Sequence, residues 1–128
     1  EFANELALHF AAELFVLHVV APVPVDVNDT MMQVPLYVLQ HQQQLEKSFR
    51  VKLEDEIKKR ISPKVTVHSR VIVGNAADQI VKFAGEEKVD LIVISTRGQT
   101  GLKRLVFGSV AERVVRLAAQ PVLTIRQD

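Results

Sequence analysis

Cysteine is absent from the 128 residues, so no disulfide framework holds this chain together and a reducing compartment is permissible. No apolar run approaches the roughly 18 residues needed to span a bilayer, and no basic-then-apolar leader opens the sequence. The cytoplasm is therefore the expected compartment, and no membrane partner is expected. Charge of one sign is lacking too: the formal net charge is +1, too small to argue for a nucleic-acid partner. There is no Walker lysine and serine, no nucleophile elbow and no pair of carboxylates near a candidate loop, which leaves catalysis without a recognisable base or nucleophile. His9, His18, His41 and His68 have no spacing that sets two on one helical face, so no metal site is expected. His18, inside an apolar run, is expected to be a packing or sheet-end group and not a base.

What is present is an ordinary globular composition, 48% hydrophobic and 24% charged, and a length that fits one domain with a real core. Residues 1–12 read as a helix with Leu6, Phe10 and Phe2 on one side. Residues 14–20, LFVLHVV, read as a buried strand. A loop at 21–34 follows, then a long helix over 35–61 whose Leu45, Phe49, Leu53, Ile57 and Ile61 repeat every fourth residue and form one apolar face. Residues 64–73 alternate and then turn fully apolar, a strand. Asn75 is a plausible N-cap for a helix to about residue 87, with Ile80, Val81, Phe83 and Ala84 inward. A strand at 91–94, a loop with Gly98 and Gly101, a helix entered at Gly108-Ser109 and stopped by Pro121, and a strand at 122–125 complete the chain. In the last helix Val110, Val114, Leu117 and Ala118 share a face. Such alternation predicts an α/β fold with a parallel sheet and helices on both faces.

In such sheets ligands lie outside the carboxyl ends of the strands. The loop after residues 91–94 is thus the place to look. Between Thr96 and Arg126 stand six cations, Arg97, Lys103, Arg104, Arg113, Arg116 and Arg126, and one acid, Glu112. The free N–H groups at the start of the following helix add partial positive charge, so the expected guest is an anion. Ser109 and Glu112 also have capping-box spacing, which would close the helix's own donors without any guest.

Gly98, nine intervening residues and then Gly108-Ser109, set between VDLIVIST and QPVLTIR, resemble the ATP-binding signature of the universal stress proteins: Gly, two residues, Gly, nine residues, Gly, then Ser or Thr. The first glycine of that signature is Ser95 here, whose Cβ and hydroxyl would crowd or contact the ribose. The resemblance is close over 71–126 and looser over 13–21. It implies an open, doubly wound, five-stranded parallel sheet in the order 3-2-1-4-5. The family's first strand, with its nucleotide-contacting Asp, precedes the first helix and has no counterpart before residue 1, so the domain spanning 1–128 is expected to be N-terminally incomplete.

The resemblance further implies ATP as ligand, with Mg2+ accompanying it. It would be held by Ser95, Thr96, Arg97, Gly98, Gln99 and Gly101 along the loop and by Gly108, Ser109, Val110 and Ala111 at the helix start, with Val19 near the adenine. It implies a stress-response sensor or regulator, and a homodimer through the strand Val122 to Ile125. The alternatives are a nucleotide-free dimeric scaffold and, less favoured, a slow ATPase; whether the protein is an enzyme stays open.

Overall fold

Helix and strand alternate along the described residues, as the periodicities predict. The computed structural model describes residues 1–24, 35–96 and 108–126. Its elements are α1 (Phe2–Phe10), β1 (Leu14–Val20), α2 (Leu36–Arg60), β2 (Val67–Val73), α3 (Ala76–Glu86), β3 (Ile92–Ser95), α4 (Ser109–Leu117) and β4 (Val122–Ile125). They form two compact units, Glu1–Gly74 and Asn75–Asp128. Among the described residues each unit holds one parallel pair, β1 beside β2 and β3 beside β4. No helix among them is long and apolar enough to cross a membrane.

In the first unit the pair runs in register from Leu14 opposite Val67 to Val20 opposite Val73. Parallel neighbours need a crossover, and α2 supplies it. Its four-residue repeat Leu45, Phe49, Leu53, Ile57 is half-buried while the intervening charged residues other than half-buried Glu46 are exposed, so one side of the helix is committed to the unit. Phe49 stacks on His18 of β1 with ring centroids 4.5 Å apart and planes 30° from parallel. His18 is thus a packing group, as its place in an apolar strand suggests. The α1 face differs from expectation: Ala7 is its buried residue, whereas Phe2 and Phe10 are 45% and 70% exposed. Buried Ala7 is flanked by half-buried Ala3 and Leu6; at 100° per residue Phe10 falls on the same side, but as the last residue of the helix it stays exposed.

In the second unit Asn75 caps α3 as predicted, its Oδ1 accepting the Asp78 N–H at 3.2 Å. Ile92 to Ser95 pair in register with Val122 to Ile125. Ala77, Ala84, Ile92 and Val114 form the core, with Ile80, Val81, Val89, Ile94, Ala118 and Val122 packed on it. The buried stripe of α4 is Ala111, Val114 and Ala118; Val110 and Leu117, expected inward, are 37% and 49% exposed. Val110 and Leu117 stand at the same three- and four-residue spacings from Val114 on its other side, so spacing leaves the two stripes equal; small Ala111 allows a close approach at the helix start. Arg113 ties α4 to α3 through Asp78 at 2.9 Å; both side chains are about half exposed, so the pair contributes at most about 1 kcal/mol.

Helix α3 ends with its chain reversed by Lys88 at φ 51°. The N–H groups of Lys88 and Val89 return to the carbonyls of Gly85 and Ala84 at 3.3 and 3.1 Å, the Schellman pattern. A side chain in the left-handed region costs roughly 1–2 kcal/mol, part of which glycine recovers. Lys88→Gly is therefore expected to stabilise the protein by about 0.5–1 kcal/mol, read as a rise in the thermal midpoint; an unchanged or lower midpoint would contradict this account of the helix end.

Candidate functional site

The second unit brings the end of β3 and the start of α4 together by topology. Its strands are parallel, so the helix between them runs back against them. Val114, in the middle of α4, sits in the same core cluster as Ile92 at the start of β3. About one and two turns earlier, Ala111 and Gly108 therefore stand toward the strands' carboxyl ends, where Ser95 and Thr96 lie.

Thr96 is tied down there. Its N–H donates to the Ile125 carbonyl at 3.0 Å and its hydroxyl reaches the same oxygen at 3.5 Å. Both of its donors close the strand pair, and only hydroxyl lone pairs are left for a guest. Ile125 was not a predicted site residue. The signal for it is the parallel register, which sets the last residues of the two strands, Ser95 and Ile125, side by side. Ser95 itself is exposed.

The start of α4 corrects the sequence reading. Gly108, at φ −53° and ψ 138°, is the N-cap, and no side chain caps the helix. The first helical bond runs from the Glu112 N–H to the Gly108 carbonyl at 3.0 Å. A capping box needs serine at the cap and glutamate at the third helical position. Here Ser109 is already the first helical residue and Glu112 the fourth, one place too far along, and the Glu112 carboxylate pairs with Arg116 instead.

In consequence the N–H groups of Ser109, Val110 and Ala111 have no acceptor within the helix, and the exposed Ser109 hydroxyl makes no bond among the described residues. Gly108 adds no side chain at the mouth. Convergent N–H donors and a hydroxyl at the positive end of a helix dipole suit a phosphate oxygen.

Of the six nearby cations, Arg113 and Arg116 are engaged with Asp78 and Glu112. The Glu112–Arg116 spacing of four was legible in the sequence. Arg97, Gly98, Gln99 and Gly101, with Lys103 and Arg104, lie outside the described residues. Val19 belongs to the first unit: it is half-buried on β1, in register with Ile72. Among the described residues no three His, Cys, Asp or Glu side chains gather as a metal site.

Comparison with known proteins adds to this geometry. The model of the Universal stress protein family matches residues 1–126. The universal stress protein MJ0531 of Methanocaldococcus jannaschii is 48% identical over 63 residues, which is 49% of this chain and 37% of that protein. Universal stress protein YxiE of Bacillus subtilis is 31% identical over 131 residues, covering 97% of this chain and 88% of its own. Among solved structures, the hypothetical protein MJ0577 aligns with a TM-score of 0.75 at 28% identity, over 97% of this chain and 88% of that one. The universal stress protein from Archaeoglobus fulgidus in complex with dAMP aligns with a TM-score of 0.56 at 25% identity, over 96% and 83%.

Proposed function

Because this chain belongs to the universal stress protein family, we propose that it binds an adenine nucleotide, ATP in the first instance, and acts in the stress response as a sensor or regulator. The observation that carries the reading is the start of α4: three N–H groups and the Ser109 hydroxyl that the helix itself leaves without partners. A phosphate supplies the missing acceptors. The dAMP complex of the Archaeoglobus relative supports adenine as the base.

In this reading Gly108, Ser109, Val110 and Ala111 hold the phosphates. The loop carrying Arg97, Gly98, Gln99 and Gly101 covers them, Ser95 and Thr96 face the ribose, and Val19 lies near the adenine. Mg2+ enters only as an ion carried on the phosphates. The five-stranded order 3-2-1-4-5 belongs to the same proposal, with β1 and β2 as its 2-3 neighbours and β3 and β4 as its 4-5 neighbours. So do a single domain over the whole chain, a cytoplasmic location and a homodimer built on the outer edge of β4.

Nucleotide held at this site would change the surface shown to a partner, which is recognition and not turnover. The second reading, a nucleotide-free dimeric scaffold, rests on Ser95, whose side chain stands where the family signature has glycine.

Mass spectrometry of nucleotide released from the purified protein, with titration calorimetry of the stripped protein, separates the readings. Released or rebound ATP, ADP or AMP is the expected result. A nucleotide-free protein that also fails to bind added ATP would leave only the scaffold, and phosphate release on incubation would point to the slow ATPase.

A further inference from the structure

The outer edge of β2 carries a different set of donors, in the first unit. The Leu14 N–H donates to the Thr66 carbonyl at one end of the β1–β2 ladder, and the Gly74 N–H to the Val20 carbonyl at the other, both at 2.9 Å. Backbone groups alternate sides along a strand. Those of His68, Arg70 and Ile72 therefore face β1, and those of Val67, Ser69, Val71 and Val73 face the opposite edge, where no strand follows among the described residues.

The side chain of Arg70 confirms that geometry: it folds over the edge and Nη1 donates to the outward Ser69 carbonyl at 3.0 Å. It takes the place of the N–H that a neighbouring strand would offer. The matching acceptor, which such a strand would present to the outward Val71 N–H, is not supplied among the described residues. Val71 lines, with Arg50, Ser69 and Arg70, an open hollow of about 360 Å³. Neither Arg50 nor Arg70 has a carboxylate partner among the described residues, although Glu46 and Glu54 flank Arg50 at helical spacing. An adjoining hollow of about 220 Å³ shares Ser69 and adds Lys58 and the one acid, Glu54.

We infer that this hollow is an oxyanion site for a phosphate group, as free phosphate or as the phosphate of a small phosphomonoester. One phosphate oxygen accepts from the Val71 N–H and so completes, with Arg70, the imitation of a next strand. The remaining oxygens meet the guanidinium donors of Arg50 and Arg70, whose planar forks match tetrahedral oxyanions. A bound anion and two arginines at this edge would also oppose the addition of a further strand. It is independent of the nucleotide site at α4.

Amide NMR of the whole chain, titrated separately with inorganic phosphate and with glycerol 3-phosphate, tests the inference. Both ligands are expected to shift the Ser69, Arg70 and Val71 amides with a Kd on the order of 1 mM. Tighter binding of glycerol 3-phosphate would assign the phosphomonoester as the natural guest, and equal binding the free ion. Arg50→Gln and Arg70→Gln, both at exposed positions, should each weaken binding about tenfold while the remaining spectrum and the thermal midpoint stay unchanged. Amides that do not shift up to about 10 mM ligand, or shifts that persist with the same affinity in the double variant, would overturn it.

Discussion

Ser109→Asp is expected to abolish nucleotide binding while leaving the fold as stable as before or slightly more so. The two effects have opposite signs for one reason. Ser109 is the first residue of α4 and makes no capping bond, so nothing structural is lost with its hydroxyl. A carboxylate there is favourable beside the unfilled N–H groups and adds about 0.3–1 kcal/mol to stability. The same carboxylate occupies the donors that a phosphate needs and repels it. Loss of one charge-assisted bond, together with that repulsion, amounts to about a hundredfold or more in affinity. Calorimetric titration with ATP and a thermal melt of the same sample measure both. Unchanged ATP affinity in a folded Ser109→Asp protein would remove α4 from the binding site. Ser109→Ala is the control, with stability within about 0.5 kcal/mol and affinity only several-fold weaker.

Truncating Val114 is expected to have the largest effect on stability. Its side chain is fully buried, 0% exposed, among Ala77, Ala84 and Ile92. Val114→Ala removes two methyl groups, about 1.6 kcal/mol of transfer free energy, and the hollow left behind brings the cost to about 2–3 kcal/mol. The neighbours that would have to close that hollow are two alanines and an isoleucine held in a strand, so relaxation is limited. Because α4 docks through Ala111, Val114 and Ala118, the lost packing also loosens the helix start, and nucleotide affinity falls with it. Denaturant unfolding gives the first quantity and calorimetry the second. A cost below about 0.5 kcal/mol would mean that Val114 is not the anchor of this unit.

These two residues also show where sequence reasoning reached and where it stopped. Val114 was legible as an inward residue of α4, yet Val110 and Leu117 were assigned to the same face and are exposed. Hydrophobicity alone does not say which of two overlapping stripes is used; the depth of contact at Ala111 does, because only a small residue lets the helix lie that close. Gly108-Ser109 was legible as a helix entry, but Ser-x-x-Glu fits a capping box in spacing alone. Whether the cap falls on Gly108 or Ser109 depends on one residue's backbone angles, which the chain's path into the helix sets.

The order of helices and strands, the ends of β1 and β4, the Asn75 cap and the packing role of His18 follow from the sequence by itself, since each depends on residues close along the chain: periodicity, capping chemistry and apolar runs. Tertiary structure alone decided that Phe2 and Phe10 are exposed, that the Ile125 carbonyl takes both donors of Thr96, and that Arg70 and Arg50 share a hollow at the edge of β2. Those outcomes bring together groups about 20 to 30 residues apart, or turn on which side of a strand a backbone group faces. Such relations are fixed by register and close packing, and no local pattern of residue types encodes them.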